Sequence, residues 1–435
     1  MSRKAPFAVA AGHRQTAETA AEVLRAGGSA VDAAVAGGLM ACVAEPVLAS
    51  LLGGGFMMVR APNGETRLLD FFVQTPRAKT READLDLRAI EADFGEAKQI
   101  FHIGAGAIAA PGVAPGLAAA HERLGRMPFA ELAAPAAAAA RAGVTLTEYQ
   151  ARLARIVAPI LGASTASRAL HFDGDAPAGV GAAIRNEPLA DVLEEFGREG
   201  PRFVQEGEVA AALLALDGGH LTRDDLKRYA PRWRDPLFET RATPAGSSTL
   251  ALNPPPALGG ALIAFALRLV GARAGAVDFA RALEATARAR VETALAEDPA
   301  AGAARLLAPD LVERFRRQLA GRPVAARGTT HISVVDGSGM GAALTLSNGA
   351  GCGLIAPGTG IMPNNMLGEE DLTGPDLRWP TDVRLSSMMA PTAIERPGGG
   401  VVMLGSGGSN RIRTALAQVA ARIVDGARLE DAVAA

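Results

Sequence analysis

The stretch AVDAAVAGGLMACVAE, residues 30–45, has the length of a helix but no polar face. Residues this small and apolar are stable as a helix only when neighbours cover every side, so the segment has to lie in an interior. An interior helix requires layers of structure around it. Ser29 before it and Asp32 three residues on form a capping-box pattern, and the segment 16–25 reads as a preceding helix closed by Gly27 and Gly28.

The chain can supply those layers. It has 435 residues, 49% of them apolar, enough to bury one large core or two. Forty-four Lys and Arg stand against 46 Asp and Glu, without a block of like charge that would serve a nucleic-acid partner. Cys42 and Cys352 are far apart and lack the neighbouring Cys or His residues of a zinc site, so they read as two buried thiols rather than a disulfide or a metal centre. No window reaches the roughly 18 to 20 apolar residues of a membrane span. The apolar stretch 5–11 contains Pro6 and runs into Gly12, His13 and Arg14, too short for a secretory signal, which makes a cytoplasmic location the expectation.

After Pro46, LLGGGFMMVR leads three glycines into an apolar run, and 56–60 with 66–72 read as a hairpin around Pro62-Asn63-Gly64. From about 85 to 325 the pattern is mainly helical and Ala-rich, with breaks at 111–116, 162–167 and 252–260. Beyond Arg327 the texture changes. THISVVD alternates like a strand, 337–339 forms a turn and 341–346 the returning strand, with short apolar runs at 392–394 and 401–404 before a Gly-rich turn and a closing helix. A helical first portion feeding a strand-rich last portion predicts one mixed α+β domain.

The segment GTTHISVVD, 328–336, sets two threonines at the head of a strand directly after a glycine. Alone it reads first as the start of a β-branched strand. It also suits an internal acyl shift: if Thr329 attacks the carbonyl of Gly328, the ester that forms hydrolyses and frees a chain beginning with threonine. Hydroxyl and amine then sit on one residue, and an α-amino group with a pKa of about 7.7 to 8 accepts the hydroxyl proton near neutral pH. Such chemistry needs no histidine, metal or cofactor. Support comes from GSGGSNRI, 405–412, a Gly-rich turn into a helix whose N–H groups can face an oxyanion. Ser386 and Ser387 offer hydroxyls to a substrate, and Asn364-Asn365 followed by Glu369, Glu370 and Asp371 offers amide and acid groups; both read equally as loop capping.

These motifs, GGSAVDAAVAGGLMACVAEP with GGGFMMV, then TTHISVVD, PGTGIMPNNM, LSSMMAPT and GSGGSNRIRT, resemble in kind and order the gamma-glutamyltransferase family. The resemblance implies an N-terminal-nucleophile (Ntn) hydrolase fold, a four-layer αββα sandwich, cut into a large segment 1–328 and a small segment 329–435 that stay together as a heterodimer. It implies a small amide substrate, glutathione-like or another acyl amide, with neither nucleic acid nor membrane as partner. Carried over by motif, Thr329 is nucleophile and base, Thr330 supports it, and Ser347 takes the place of a hydroxyl that bonds the nucleophile from the next strand. Gly408 and Ser409 supply oxyanion N–H groups, Ser386 and Ser387 meet the donor's α-carboxylate, Glu369 its α-amino group, and Asn365 lies beside Glu369 in the same binding segment.

Three departures qualify that expectation. Where the family carries an arginine in a DFRE-like motif, this chain reads Asp70-Phe71-Phe72-Val73, so Phe72 stands in the arginine's place. Loss of that charge-assisted contact removes roughly 1.5 to 3 kcal/mol and favours an apolar or aromatic acyl group, unless Arg60, Arg77 or Arg384 substitutes. EPVLASLLGGG lacks the family's His-Ser-Ser-Gly-type residues. The resemblance also places further strands after Ala435, so an incomplete C-terminal edge is expected. Three readings follow: a self-processing gamma-glutamyltransferase-like enzyme, an Ntn acylase for a non-glutamyl amide, or an inactive relative that binds.

Overall fold

A computed structural model describes residues 6–93, 98–243, 246–271, 274–316, 329–374, 376–408 and 410–435. Two sheets dominate it. The first contains β1 (Ala8–Ala11), β2 (Gly54–Arg60), β3 (Thr66–Phe71), β4 (Arg232–Arg234), β7 (Thr330–Val335) and β8 (Gly341–Ser347), in the order β1-β7-β8-β2-β3-β4. The second contains β5 (Leu237–Thr243), β6 (Gly246–Leu252), β9 (Thr392–Glu395) and β10 (Val401–Leu404), in the order β5-β6-β9-β10. Every pairing within the two is antiparallel.

Alternation along the strands sorts the side chains into two cores. Met57, Val59, Leu69, Ile332, Val334 and Leu344 face one way and pack with α2 (Ala30–Ala44), the interior helix, every residue of which is buried. Helix α1 (Arg14–Arg25), the helix Phe129–Ala142, and strands β7 and β8 surround it. Phe56, Met58, Leu68 and Ala343 face the other way and meet Leu250, Leu252, Ile394 and Met403 of the second sheet. That sheet is covered in turn by α3 (Gly259–Leu269), and helix α5 (Asn410–Val424) packs on α3 in the same core. The result is the helix–sheet–sheet–helix stack expected of an Ntn hydrolase. Alanine and glycine in α2 allow this close approach, and its Ser29/Asp32 capping box forms as the spacing requires.

The stretch read as helical from 85 to 325 also holds strands. Arg88–Asp93 pairs with Lys98–Ile103, and β5 with β6 forms a hairpin. Neither was read from the sequence, since no Asn-Gly-type turn marks these hairpins and strand formation depends on the packing around a segment more than on its own residues. The hairpin at Asn63-Gly64 forms as read, with Gly64 at φ +92°.

The two segments interleave. Strand β1 pairs with β7, β2 with β8, and β6 with β9, so strands from the two sides of residue 328 hydrogen-bond to one another in both sheets. The carboxylate of Asp336, at the β7–β8 turn, accepts a hydrogen bond from the N–H of Ala30 at 3.0 Å and ties that turn to the start of α2.

Candidate active site

Thr329 is buried, 9% exposed, at the head of β7. The register sets Thr330 opposite Leu346, which brings Ser347 to the level of Thr329 on the neighbouring strand. Ser347 is itself buried, and its Oγ accepts from the N–H of Gly349 at 3.1 Å. Period-2 alternation turns Thr330 to the opposite face from Thr329. There its hydroxyl donates to Glu45 Oε2 at 2.8 Å, while the Thr16 hydroxyl donates to Oε1 at 3.2 Å. Burial raises the Glu45 pKa and the two hydroxyls pull it back. This carboxyl at the end of α2 pins the strand that carries Thr329, and its one visible signal was a lone acid terminating an apolar helix.

His331 follows on the same face as Thr329. Its Nδ1 lies 2.8 Å from Thr345 Oγ1 and its Nε2 2.9 Å from Ser333 Oγ, and burial pushes its pKa down to about 3, so the ring is neutral. The Gly-rich loop after β10 closes over these residues. A Cβ at Gly405 would sit 2.1 Å from the His331 ring, and one at Gly407 only 1.9 Å from the Thr329 carbonyl oxygen. Only hydrogen at these two positions lets the loop reach the strand. Gly408 is buried with φ +113°, and α5 begins at Asn410, so the positive end of a helix dipole lies beside Thr329.

Thr329 faces two spaces. A small cavity of about 40 Å3 is lined by Phe72, Ser347, Glu369, Ser387 and Asp371, with Met366, Met388 and Met389 in its wall, whose flexible side chains adapt to what enters. A larger cleft of about 550 Å3 is lined by Thr329, Thr330, Glu45 and the loop from Gly405 to Gly408. Five sequence-nominated residues, Phe72, Thr329, Ser347, Glu369 and Ser387, thus meet around one cavity, and Gly408 meets Thr329 in the other. Among the described residues no three His, Cys, Asp or Glu side chains gather as a metal set.

Other nominated residues lie elsewhere or outside the described region. Ser386 is half-buried and absent from the cavity wall. Asn365 is fully buried behind it, its Oδ1 accepting from the N–H of Ala350 at 2.8 Å and its Nδ2 donating to the His102 carbonyl at 3.2 Å. It shapes the loop against which Gly349 and Glu369 pack. Gly328 and Ser409 lie outside the described residues. Phe72 is 2% exposed and stacks on Phe56 with ring centroids 5.5 Å apart. The three arginines considered as substitutes are engaged away from the cavity: Arg60 with Glu395, Arg77 with Asp382, and Arg384 with the Phe72 carbonyl, the Tyr229 hydroxyl and the Ala230 carbonyl. Sequence reading missed Glu45, Gly407, Met388 and Met389, because only the folded loops bring them to Thr329.

Residues 16–435 match the family model described as gamma-glutamyltranspeptidase. The chain belongs to the gamma-glutamyltranspeptidase family. It is 30% identical to a glutathione hydrolase proenzyme of Pseudomonas aeruginosa over 98% of this chain and 82% of that protein. It is 28% identical to an acylase ACY 1 proenzyme of a Pseudomonas species, strain V22, over 96% of this chain and 79% of that protein. Among solved structures, a gamma-glutamyltranspeptidase from Pseudomonas nitroreducens superposes with TM-score 0.60 at 27% identity, covering 75% of this chain and 97% of that one. A cephalosporin acylase from Bacillus halodurans shares the fold with TM-score 0.80 at 20% identity, over 98% of this chain and 82% of that one. The motifs read from the sequence and the layered stack agree with membership in this family of Ntn hydrolases and transferases.

Buried histidines give this family member a defined acid response. Burial lowers the His171 pKa to about 4 and that of His331 to about 3, whereas in the unfolded chain both titrate near 6.5. Below pH 6.5 the unfolded state binds more protons, so the contribution to stability is complete above 6.5 and drains away toward 4 and 3. Glu45, raised by burial, acts in the opposite sense. The melting temperature is expected to fall between pH 7 and pH 5, with His171 alone accounting for about 2 kcal/mol. His171→Gln combined with His331→Gln should flatten that slope, and equal slopes in variant and wild type would refute the assignment.

Proposed function

We propose that this chain is a self-processing amide hydrolase or acyl transferase in which Thr329 is both nucleophile and, through its released amine, base. The observation that carries the reading is the position of Thr329, between a cavity bearing Phe72, Ser347, Glu369 and Ser387 and a glycine loop seated on its own carbonyl. In processing, the Thr329 hydroxyl attacks the Gly328 carbonyl, and water cleaves the resulting ester. Because strands from the two sides of that bond pair with one another in both sheets, the pieces remain one folded unit.

In turnover, the hydroxyl attacks the acyl carbonyl of the donor amide as the α-amine takes its proton. Negative charge on the carbonyl oxygen is met by backbone N–H groups at Gly408 and Ser409, next to the helix N-terminus. The amine then delivers the proton to the departing nitrogen, and water or an acceptor amine resolves the threonyl ester. Thr330 fixes the strand through Glu45, Ser347 faces the nucleophile from the next strand, and Glu369 with Ser387 meets polar groups of the acyl chain.

A gamma-glutamyl donor is the first reading, supported by family membership. The wall formed by Phe72, Met366, Met388, Met389 and Ile412 favours a second, an apolar or aromatic acyl amide. Comparing release of aniline from gamma-glutamyl anilide with a set of aliphatic and aromatic acyl anilides decides between them. Cleavage of none of these donors by protein that is folded and cut before Thr329 would overturn the enzymatic reading.

A further inference from the structure

Asp371, in the cavity wall beside Thr329, is not alone. It lies in the electrostatic field of two half-buried guanidiniums, Arg413 on α5 and Arg290 on α4 (Ala276–Glu292). Burial lowers the pKa of both, Arg290 opposes Arg413, the charge on Asp371 favours each, and Glu297 also favours Arg290. Arg413 directly follows Ile412, which lines the same cavity. Its Nε and Nη1 are closed off from solvent and make no hydrogen bond among the described residues. Buried donors without acceptors cost stability, more so when charged, and two on one side chain at the edge of a cavity mark a place that a ligand's acceptor can complete.

Among the described residues the wall of the small cavity offers no other cation, and Arg411 lines the larger cleft on the other side of Thr329. Phe72 stands in the arginine's place, and Arg60, Arg77 and Arg384 are committed elsewhere. The cavity wall among the described residues holds Glu369 and Asp371 but no Lys or Arg. Among the described residues, Arg413 beside this wall has two nitrogens without a hydrogen bond, whereas Arg384, held on the Phe72 carbonyl, has only its Nε.

We infer that Arg413 is a specificity-determining residue that binds a carboxylate on the acyl group of the donor, reaching the site from helix α5 rather than from the β3 hairpin. The inference rests on the amide-hydrolase reading above. In it, Glu297 and Asp371 hold Arg290, and Arg413, offset by Asp371, turns its two unpaired nitrogens to the incoming carboxylate. The acyl group so recognised has an apolar body against Phe72 and the methionines and an anionic terminus beside α5.

The test uses the self-cleaved protein with two anilides of equal chain length, glutaryl and valeryl, which differ in a terminal carboxylate. Arg413→Ala, and Arg413→Met to keep the apolar stem, should raise KM for the glutaryl donor about ten- to a hundred-fold, as loss of one charge-assisted contact requires. The valeryl donor should change by less than about twofold, and Arg413→Lys should restore part of the glutaryl loss. Both neutral variants should melt at or above the wild-type temperature, since they delete unpartnered buried donors. Glutarate alone should raise the melting temperature of wild type and not that of Arg413→Met, a readout independent of catalysis. Equal KM changes for the two donors, a marked fall in melting temperature, or equal glutarate stabilisation in variant and wild type would overturn the inference. Failure of wild type to cleave either anilide while glutarate still stabilises it through Arg413 would instead count against the hydrolase reading.

Discussion

Thr329→Ala is expected to migrate on a denaturing gel as one uncut chain, 44.4 kDa for these 435 residues, where wild type gives two pieces divided before Thr329. The substitution deletes the attacking oxygen of both reactions, so self-cleavage and amide turnover are lost together. Removing a nucleophile from a site that works as a unit typically lowers kcat by on the order of 10^4-fold or more. Thr329→Ser keeps the hydroxyl and should still divide. The Ala variant keeps Cβ and loses only the hydroxyl and one methyl, so it should melt close to an uncut wild-type reference. Mass spectrometry of folded wild type supplies the decisive control: an intact polypeptide would remove the basis of the mechanism.

Gly407→Ala carries the second largest expected effect. Its Cβ would fall 1.9 Å from the Thr329 carbonyl oxygen and 2.9 Å from the carbonyl carbon, both backbone atoms that cannot rotate away. Either the loop or the strand head has to shift. Overpacking of this kind costs typically about 1 to 3 kcal/mol, and a displacement of about 1 Å at a reacting group costs about 10^2-fold in rate. A fall in amide turnover of at least that size is expected, with a smaller loss of melting temperature. Gly179→Ala is the matched control: nothing lies within 4 Å of its added Cβ, and it should stay within about 0.5 kcal/mol of wild type. Full activity in Gly407→Ala would mean that the loop does not sit on Thr329 in solution.

Both predictions depend on one contact between segments distant in sequence, which marks the boundary of what reading along the chain reveals. Local chemistry was legible. The interior helix followed from 15 residues without a polar face, its cap from Ser29 and Asp32, the hairpin from Asn63-Gly64, and the strand pair after Arg327 from alternation around a glycine turn. These depend on neighbours a few residues away, so composition and spacing suffice. The hairpins within the middle were not legible although their strands are neighbours in sequence, since no Asn-Gly-type turn marks them, and β6 is completed by β9 from beyond residue 328.

The candidate site divides in the same way. Thr329, Glu369, Ser387 and Phe72 were marked by residue type and motif. That they share one cavity was decided by the stacking of two sheets and the return of α5 and its loop. Glu45 became the anchor of Thr330 only because α2 ends beneath β7, and Arg413 became a candidate for the donor's carboxylate only because α4 and α5 bring two guanidiniums to Asp371. Sequence by itself nominated Thr329 as the nucleophile and indicated the family's layered architecture, because strand alternation, capping and motif spacing are written locally. Tertiary structure alone decided which buried charges keep unsatisfied donors and which glycines touch the nucleophile, because desolvation and steric exclusion act between atoms that only the folded chain brings within a few ångströms.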